Sequence, residues 1–376
     1  MAEDPTSLGP LELELLPARH GDALLLSWGP LADRHRMLID GGPASAYAKV
    51  SARLREVAAE RPLDLLVLTH IDADHIEGTL LLTNDADLDI GICGYWFNGP
   101  AQVAPKLGTA EGEMLAALVG ARGIPLNAAF GKAAVCAPDA AALPVHHLPG
   151  GLTLTVLGPD REDLAKLRTV WFSSLRDGGL VFASEEQALE VLRQRSGLNP
   201  AKTFLSETKR PSITHLIQTP TSPDMSAPNR SSIVLLAEYA GNTVLLPGDA
   251  TPRALLAGIR RLLAERSLEH LDLTAFKLPH HGSTRNITKD LLGLLPADNY
   301  LFSSDGTRFG HPDDAGVAKC LAYGKPGSAL VFNYRNPRTL QWQGEDVLGP
   351  RRNRACYPPA GAEGMALSMA AHDRQA

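Results

Sequence analysis

The chain has few cysteines, few aromatic residues and no long apolar segment. Its four cysteines are scattered and lack the close pairs that a structural zinc site or a disulfide framework requires. No run of about 18 apolar residues occurs, and the N-terminus has no basic start followed by an apolar stretch. The sequence therefore predicts a protein without membrane helices and with a cytoplasmic location.

Positive charge is also in short supply. The formal net charge is −6, which argues against the strongly basic surface that binds nucleic acid indiscriminately. Hydrophobic residues make up 44% and charged residues 21% of the 376 positions, which is typical of a well-cored globular protein. This length suits one layered α/β domain that carries insertions.

Four potential metal ligands stand within six positions. His70, Asp72, Asp74 and His75 directly follow the apolar run 65–68, which has the length and composition of a buried strand. Ligand-bearing loops at the carboxyl ends of such strands are where α/β sheets place their chemistry. Imidazole and carboxylate groups packed this densely suit zinc, manganese or iron, and the carboxylates would repel one another without a cation.

Similar side chains recur at three later strand ends. Asp249, the pair His280 and His281, and His311 each follow an apolar run and stand in a Gly- or Pro-containing turn. A solvated acidic loop is the usual explanation for one such residue, because charged side chains are mostly exposed. Four ligand-bearing strand ends in one chain instead favour a metal centre.

These segments resemble the metallo-β-lactamase-fold hydrolases. Asp72 stands where most of that superfamily has its second histidine, and Asn229-Arg230-Ser231-Ser232 precedes a strand where a distant histidine is expected. One branch shares these departures: the hydrolase domain of competence-type DNA-uptake channels and the bacterial phosphorylcholine esterases. The resemblance covers about residues 11–335 and implies an α/β fold, the αββα metallo-β-lactamase sandwich.

The resemblance also implies a ligand set for two divalent metal ions. His70, Asp72 and one of His280 and His281 would bind the first ion, with His281 preferred and His280 contacting substrate phosphate. The second ion would be bound by Asp74, His75 and His311, and Asp249 would bridge both. Asp40, after an earlier strand, would orient the histidines from behind. The candidate catalytic residues are Asp74, His280 and Asp40.

We therefore expect a metal-dependent hydrolase, with zinc as the first choice of metal and manganese as the second. The reaction predicted first is phosphodiester or nucleic-acid hydrolysis by a hydroxide that bridges the metals. Two alternatives stay open, since a fold does not fix a substrate. One is a small-molecule ester or lactone hydrolase, and the other is a partner-binding component of a bacterial defence system.

The chain is predicted to form one hydrolase domain, 1–345, and a weakly structured C-terminal tail, 346–376. A helical insertion, about 158–229, is long enough to form a lid or a surface for a protein partner or a homodimer. Its Lys202, Lys209 and Arg210 could meet phosphate, although a solvated face is the commoner role of such residues. Elsewhere the patterns predict helices at 44–61, 76–83 and 111–122, a strand at 88–97 and a hairpin at 143–157.

Overall fold

The structure is a computed structural model that describes most of the chain. The described residues are 8–58, 61–88, 90–103, 114–139, 141–177, 185–197 and 212–372. The basic residues Lys202, Lys209 and Arg210 of the insertion lie outside them.

Two β-sheets form the centre of the fold. Their strands are β1 (Leu11–Leu15), β2 (Leu24–Trp28), β3 (His35–Ile39), β4 (Leu65–Val67), β5 (Tyr95–Trp96), β6 (Val145–His147), β7 (Thr153–Gly158), β8 (Val234–Tyr239), β9 (Asn242–Leu246), β10 (Ala275–Lys277), β11 (Asn299–Phe302), β12 (Ala329–Phe332), β13 (Arg354–Cys356) and β14 (Met365–Met369). The first sheet has the order β14-β1-β2-β3-β4-β5 and the second the order β13-β12-β11-β10-β9-β8-β7-β6. In the first sheet β3, β4 and β5 are parallel, and in the second β9 to β13 are parallel.

Helices cover the outer faces of the sheets. The described α-helices are α1 (Tyr47–Ala58), α2 (Ala73–Asn84), α3 (Pro100–Val103), α4 (Met114–Ala121), α5 (Arg161–Asp177), α6 (Glu185–Ser196), α7 (Ile213–Gln218), α8 (Ala227–Arg230), α9 (Pro252–Arg266), α10 (Lys289–Leu294), α11 (Asp314–Tyr323), α12 (Pro337–Leu340) and α13 (Glu345–Leu348). Residues predicted as helix at 44–61, 76–83 and 111–122 overlap α1, α2 and α4.

Three apolar layers account for this arrangement. Strand residues such as Leu13, Leu26 and Val156 pack between the two sheets. A second layer joins the other face of the first sheet to its helices, and a third joins the second sheet to α9, α10 and α11. Because a sheet with two apolar faces must be covered on both, the result is four layers, helix-sheet-sheet-helix. The predicted αββα sandwich is confirmed.

The C-terminal segment is more ordered than the sequence predicted. Strand β13 pairs in parallel with β12, and β14 pairs antiparallel with β1, so each forms the edge of one sheet. The expected weakly structured tail is therefore wrong for 354–356 and 365–369. Met365, Leu367 and Met369 of β14 do alternate with smaller residues, but the strand is short and its place beside β1 depends on a pairing about 350 residues distant in sequence, which local pattern does not encode.

Two other predicted elements differ in length. The strand expected at 88–97 is reduced to β5, a two-residue strand. The insertion contains α5 and α6 as expected, and both pack on the helical layer of the first sheet through residues such as Leu167, Trp171 and Leu192. No described helix has the length and apolar character needed to cross a membrane.

Candidate metal centre

The potential ligands meet at the carboxyl ends of parallel strands from both sheets. Strand β4 leads to His70 and to α2, whose first turn carries Asp74 and His75. On the second sheet β9 leads to Asp249, and β10 leads to a turn that holds His280 and His281. The ligand helix begins at Ala73, three residues earlier than predicted, so Asp74 lies at a helix N-terminus, where the backbone favours negative charge.

Two glycines allow these loops to approach closely. A Cβ atom at Gly248 would lie 2.9 Å from the Cβ of Thr69, and the residue has a positive φ of 55°. At Gly21 a Cβ atom would lie 1.9 Å from the carbonyl oxygen of Asp74. Larger residues would therefore separate the loops that carry Asp249 and Asp22 from the loop after β4.

Three imidazole Nε2 atoms are buried at this point without a hydrogen-bond partner. They belong to His70, His75 and His281, and Asp249 Oδ1 is likewise buried without a hydrogen-bond partner. The Nε2 atoms of His75 and His281 each lie 3.4 Å from Asp249 Oδ2, and His281 Nε2 lies 3.4 Å from Asp74 Oδ2. Buried polar atoms are normally satisfied, so a converging set without partners indicates room for a ligand that the set itself would bind.

The opposite nitrogen of each imidazole is held by an oxygen. His75 Nδ1 lies 2.8 Å from Asp40 Oδ2, His70 Nδ1 lies 3.0 Å from Thr69 Oγ1, and His281 Nδ1 lies 3.1 Å from the carbonyl oxygen of Ser303. Asp40 also accepts hydrogen bonds from Thr69 N and Oγ1, at 2.7 and 2.8 Å. Oxygen partners behind Nδ1 fix the ring and leave Nε2 free, which is the usual environment of a metal-binding histidine.

The buried carboxylates of the cluster also favour a bound cation. Burial disfavours the charged form of His75 and of His281, yet the Asp249 carboxylate raises the pKa of both well above the usual range, helped by Asp40 and Asp22 respectively. Burial would raise the pKa of Asp249, but His281 and His75 hold it well below its usual range. A metal ion would neutralise the same carboxylates and would compete with protons for the imidazole nitrogens.

The distances group the ligands differently from the implied scheme. His281, expected with His70 and Asp72, instead lies between Asp74 and Asp249 and beside His75, with ring centroids 5.2 Å apart. His70 Nε2 lies 3.6 Å from Asp72 Oδ2. The carboxylate contacts thus join Asp74, His75, His281 and Asp249, and His70 lies beside this group with Asp72, its ring centroid 4.2 Å from that of His75.

His311 lies at the edge of the cluster. Its ring centroid is 5.3 Å from that of His280 and 6.3 Å from that of His281, and its Nδ1 contacts Asp313 Oδ1 at 2.9 Å. It was expected to bind the second ion with Asp74 and His75. The Asp313 carboxylate holds its Nδ1 side, as oxygen atoms hold Nδ1 of the other three histidines, so the ligand role of His311 stays a prediction.

His280 and His281 point in different directions. Both have a positive φ, 49° and 54°, and this turn buries His281 completely while leaving the His280 side chain 25% exposed. His280 Nδ1 lies 3.3 Å from Asp224 Oδ2, and its Nε2 lies 3.8 Å from Asp249 Oδ2. The sequence alone favoured His281 as the ligand without deciding between the two histidines. In the structure His280 is the one that solvent can reach.

Asp224, at the end of the insertion, is a site residue that the sequence did not indicate. Its carboxylate accepts hydrogen bonds from Asn229 Nδ2 at 2.7 Å and from Asn286 Nδ2 at 3.1 Å, and it backs His280. Asn229 therefore positions the Asp224 carboxylate. Ser232 positions the loop that carries Asp249, because Ser232 Oγ accepts a hydrogen bond from the backbone N–H of Asp249 at 3.3 Å. Nothing in the Pro- and Thr-rich sequence around Asp224 marks it.

Asp22 and Lys277 form a second unpredicted feature, a fully buried ion pair beside the cluster. One potential ligand atom from each of Asp22, His75, Asp249 and His281 lies within 4.8 Å of the others. Asp22 Oδ1, however, faces the Nδ1 side of His281 at 3.3 Å, whereas Asp74 and Asp249 face Nε2. Asp22 therefore supports His281 from behind. The only signal in the sequence was a carboxylate in His20-Gly21-Asp22, directly before the apolar run of β2.

Replacing Lys277 by methionine should destabilise the protein strongly. The change keeps the side-chain volume but leaves the buried Asp22 carboxylate unpaired, and loss of one partner of a buried ion pair costs about 3–5 kcal/mol. Urea unfolding in a chelator measures this free energy. Lys325→Met, which breaks the partly exposed pair with Asp298, is the matched control and should cost less than about 1 kcal/mol. Equal losses in the two variants would contradict a special role for Lys277.

Comparison with known proteins adds little to these observations. No protein-family model and no curated protein matches the chain. Among solved structures, the chain is similar to a HARLDQ-motif mutant of a metallo-β-lactamase from Cronobacter sakazakii, with 12% identity, 70% of each chain covered and a TM-score of 0.30. The layers and strand order described above define the fold as a four-layer αββα sandwich. In it the ligand-bearing loops lie together at one edge of the two sheets.

Proposed function

We propose that this protein is a metal-dependent hydrolase that cleaves phosphodiesters with two divalent ions. The observation that carries the proposal is the convergence of three buried imidazole Nε2 atoms, from His70, His75 and His281, with the unpartnered Asp249 Oδ1. Burying so many polar atoms without partners is costly unless a ligand satisfies them. A mixed set of imidazole and carboxylate groups suits zinc first and manganese second.

In this proposal the ligands divide between two ions. Asp74, His75 and His281 would hold one ion, His70 and Asp72 would hold the other, and Asp249 would be shared. Ions bound in this way lower the pKa of a water molecule and stabilise charge on the attacking and leaving oxygens of a displacement. No side-chain nucleophile is then needed.

The chain's own residues fix the ligands and exclude water behind them. Asp40, Thr69 and Asp22 each contact the Nδ1 side of one histidine and so orient its Nε2 atom toward the cluster. Contacts of this kind support metal affinity by about 10- to 100-fold in other metal sites. All three supporting side chains are buried, which keeps the ligand geometry rigid.

His280 serves the substrate in this proposal. It is more exposed than His281, its Nε2 faces Asp249, and Asp224 holds its Nδ1. An imidazole in this position can donate a hydrogen bond from Nε2 to a phosphate oxygen next to the ions. Its pKa is raised, because the nearby Asp249 and Asp224 carboxylates outweigh the opposing effect of burial.

A matched substrate screen tests the reaction. The protein, loaded separately with Zn²⁺ and with Mn²⁺, is expected to hydrolyse bis-p-nitrophenyl phosphate and oligonucleotides with higher kcat/KM than aryl esters or lactones. Protein treated with chelator serves as the control and should lose this activity, because the ligands hold no water-activating ion. Efficient turnover of a lactone or an aryl ester with every phosphodiester left intact would refute phosphodiester hydrolysis and support a small-molecule hydrolase.

A further inference from the structure

An exposed phenylalanine lies directly beside the candidate metal centre. The Phe309 side chain is 54% exposed, although large apolar side chains in the described part of the chain are mostly buried. Its ring centroid lies 6.3 Å from that of His311 and 5.7 Å from that of His20, which it meets edge to face. The exposed ring is therefore part of the mouth of the cluster.

The loop that carries Phe309 is held by hydrogen bonds. Asp305 Oδ1 accepts from Thr307 N at 2.9 Å and from Thr307 Oγ1 at 2.7 Å, and the Asp305 carbonyl accepts from Asn336 Nδ2 at 3.2 Å. The Asp305 N–H donates to the carbonyl of Arg19 at 2.7 Å. A ring on a loop fixed in this way loses little conformational freedom when another ring stacks on it.

A guanidinium lies over this ring despite the net negative charge of the chain. The guanidinium of Arg308 lies over Phe309, 5.0 Å from the ring centroid, and contacts His20 Nε2 at 3.3 Å. Burial lowers the pKa of His20 to about 4, so its neutral ring can accept this hydrogen bond. The Arg338 guanidinium packs beside Gly310, the residue after Phe309, and donates to the carbonyl of Pro312 at 3.1 Å.

We propose that Phe309 is a stacking surface for an unpaired nucleobase and that Arg308 binds the adjoining phosphate. This inference rests on the proposed function and names its substrate class as single-stranded nucleic acid and nucleoside phosphodiesters. An aromatic face, a neighbouring guanidinium and a phosphodiester-cleaving centre form a continuous surface of the kind that binds single strands. Bases within a duplex are stacked on one another and do not offer a free face to Phe309.

Two substrates with the same leaving group test the proposal. Thymidine 5′-(p-nitrophenyl phosphate) and methyl p-nitrophenyl phosphate differ in the nucleoside, and hydrolysis of both releases p-nitrophenol. The ratio of their kcat/KM values should fall about tenfold in Phe309→Ala, because base stacking on an aromatic side chain is lost. Phe309→Trp should keep or raise the ratio. Leu268→Ala, which removes an exposed apolar side chain after α9, is the control and should not change the ratio.

Binding provides a second measurement that does not depend on turnover. Fluorescence anisotropy with a labelled oligothymidine and chelator-treated protein should show weaker binding for Phe309→Ala. Binding to Arg308→Ala should depend less steeply on salt, since one phosphate contact is lost. A duplex of the same length should bind more weakly than the single strand.

The outcomes separate this inference from the proposed function. If the wild-type protein hydrolyses both substrates but Phe309→Ala leaves their ratio and oligothymidine binding unchanged, the stacking surface is refuted while the hydrolase survives. A ratio that stays constant because both rates fall together would show that Phe309 supports the His311 loop instead. Hydrolysis of neither substrate would refute the proposed function and this inference with it.

Discussion

Replacing Asp249 by asparagine should remove most of the metal and nearly all of the activity. The change keeps size and shape but takes one negative charge from a carboxylate that lies 3.4 Å from both His75 Nε2 and His281 Nε2. Wild-type protein is expected to hold about two ions per chain, and the variant fewer than about one, since the shared ligand is weakened for both. We expect kcat on bis-p-nitrophenyl phosphate to fall at least about a thousandfold.

Metal analysis after gel filtration and initial rates measure both effects. Asp298→Asn is the matched control, because it makes the same chemical change at a partly exposed carboxylate on the surface. The control should keep its metal and its rate. Asp249→Asn protein that retains both ions and full activity would contradict the shared-ligand role and, with it, the dinuclear centre.

Substitutions at the two neighbouring histidines should have different consequences. His281→Asn takes a ligand nitrogen from the fully buried group that contains Asp74 and Asp249, so metal content and rate are expected to fall together. His280→Asn should keep the metal and lower kcat by about 100-fold, because its imidazole contributes to the substrate and not to ion binding. Metal stoichiometry and kcat are measured for both variants on one substrate.

A third histidine controls for the substitution itself. His146 lies on β6 and packs against Trp96 and Phe130, away from the cluster, so His146→Asn should leave metal content and rate unchanged. Metal loss in His280→Asn without metal loss in His281→Asn would require the two roles to be exchanged. Metal loss in both would make each a ligand.

The strand-end pattern carried most of the information about this site. His70, Asp74, His75 and Asp249 were found because each follows a recognisable apolar strand, and parallel strands end at a common edge. The orienting role of Asp40 was implied by the family resemblance, and the structure places Asp40 2.8 Å from His75 Nδ1. These inferences use only the position at which a strand ends, and they do not depend on which strands lie beside it in the sheet.

Partners that come from distant segments were missed or assigned differently. Asp224 reaches His280 from the end of an insertion, and Asp22 reaches Lys277 across the interface between the two sheets. The place of His281 beside Asp74 depends on the left-handed turn at 280–281, whose dihedral angles no residue type there demands. Each of these contacts is set by packing of segments that are far apart in the chain.

The sequence by itself indicated the residues able to bind metal, since these follow local apolar runs and the turns that end them, and its resemblance to the metallo-β-lactamase-fold hydrolases implied the αββα class. Only the tertiary structure decided which ligands share an ion, which histidine of the pair is buried, and that the C-terminal strands complete both sheets. Those outcomes depend on side-chain direction and on long-range strand pairing, and their free energy arises only when distant surfaces are brought together.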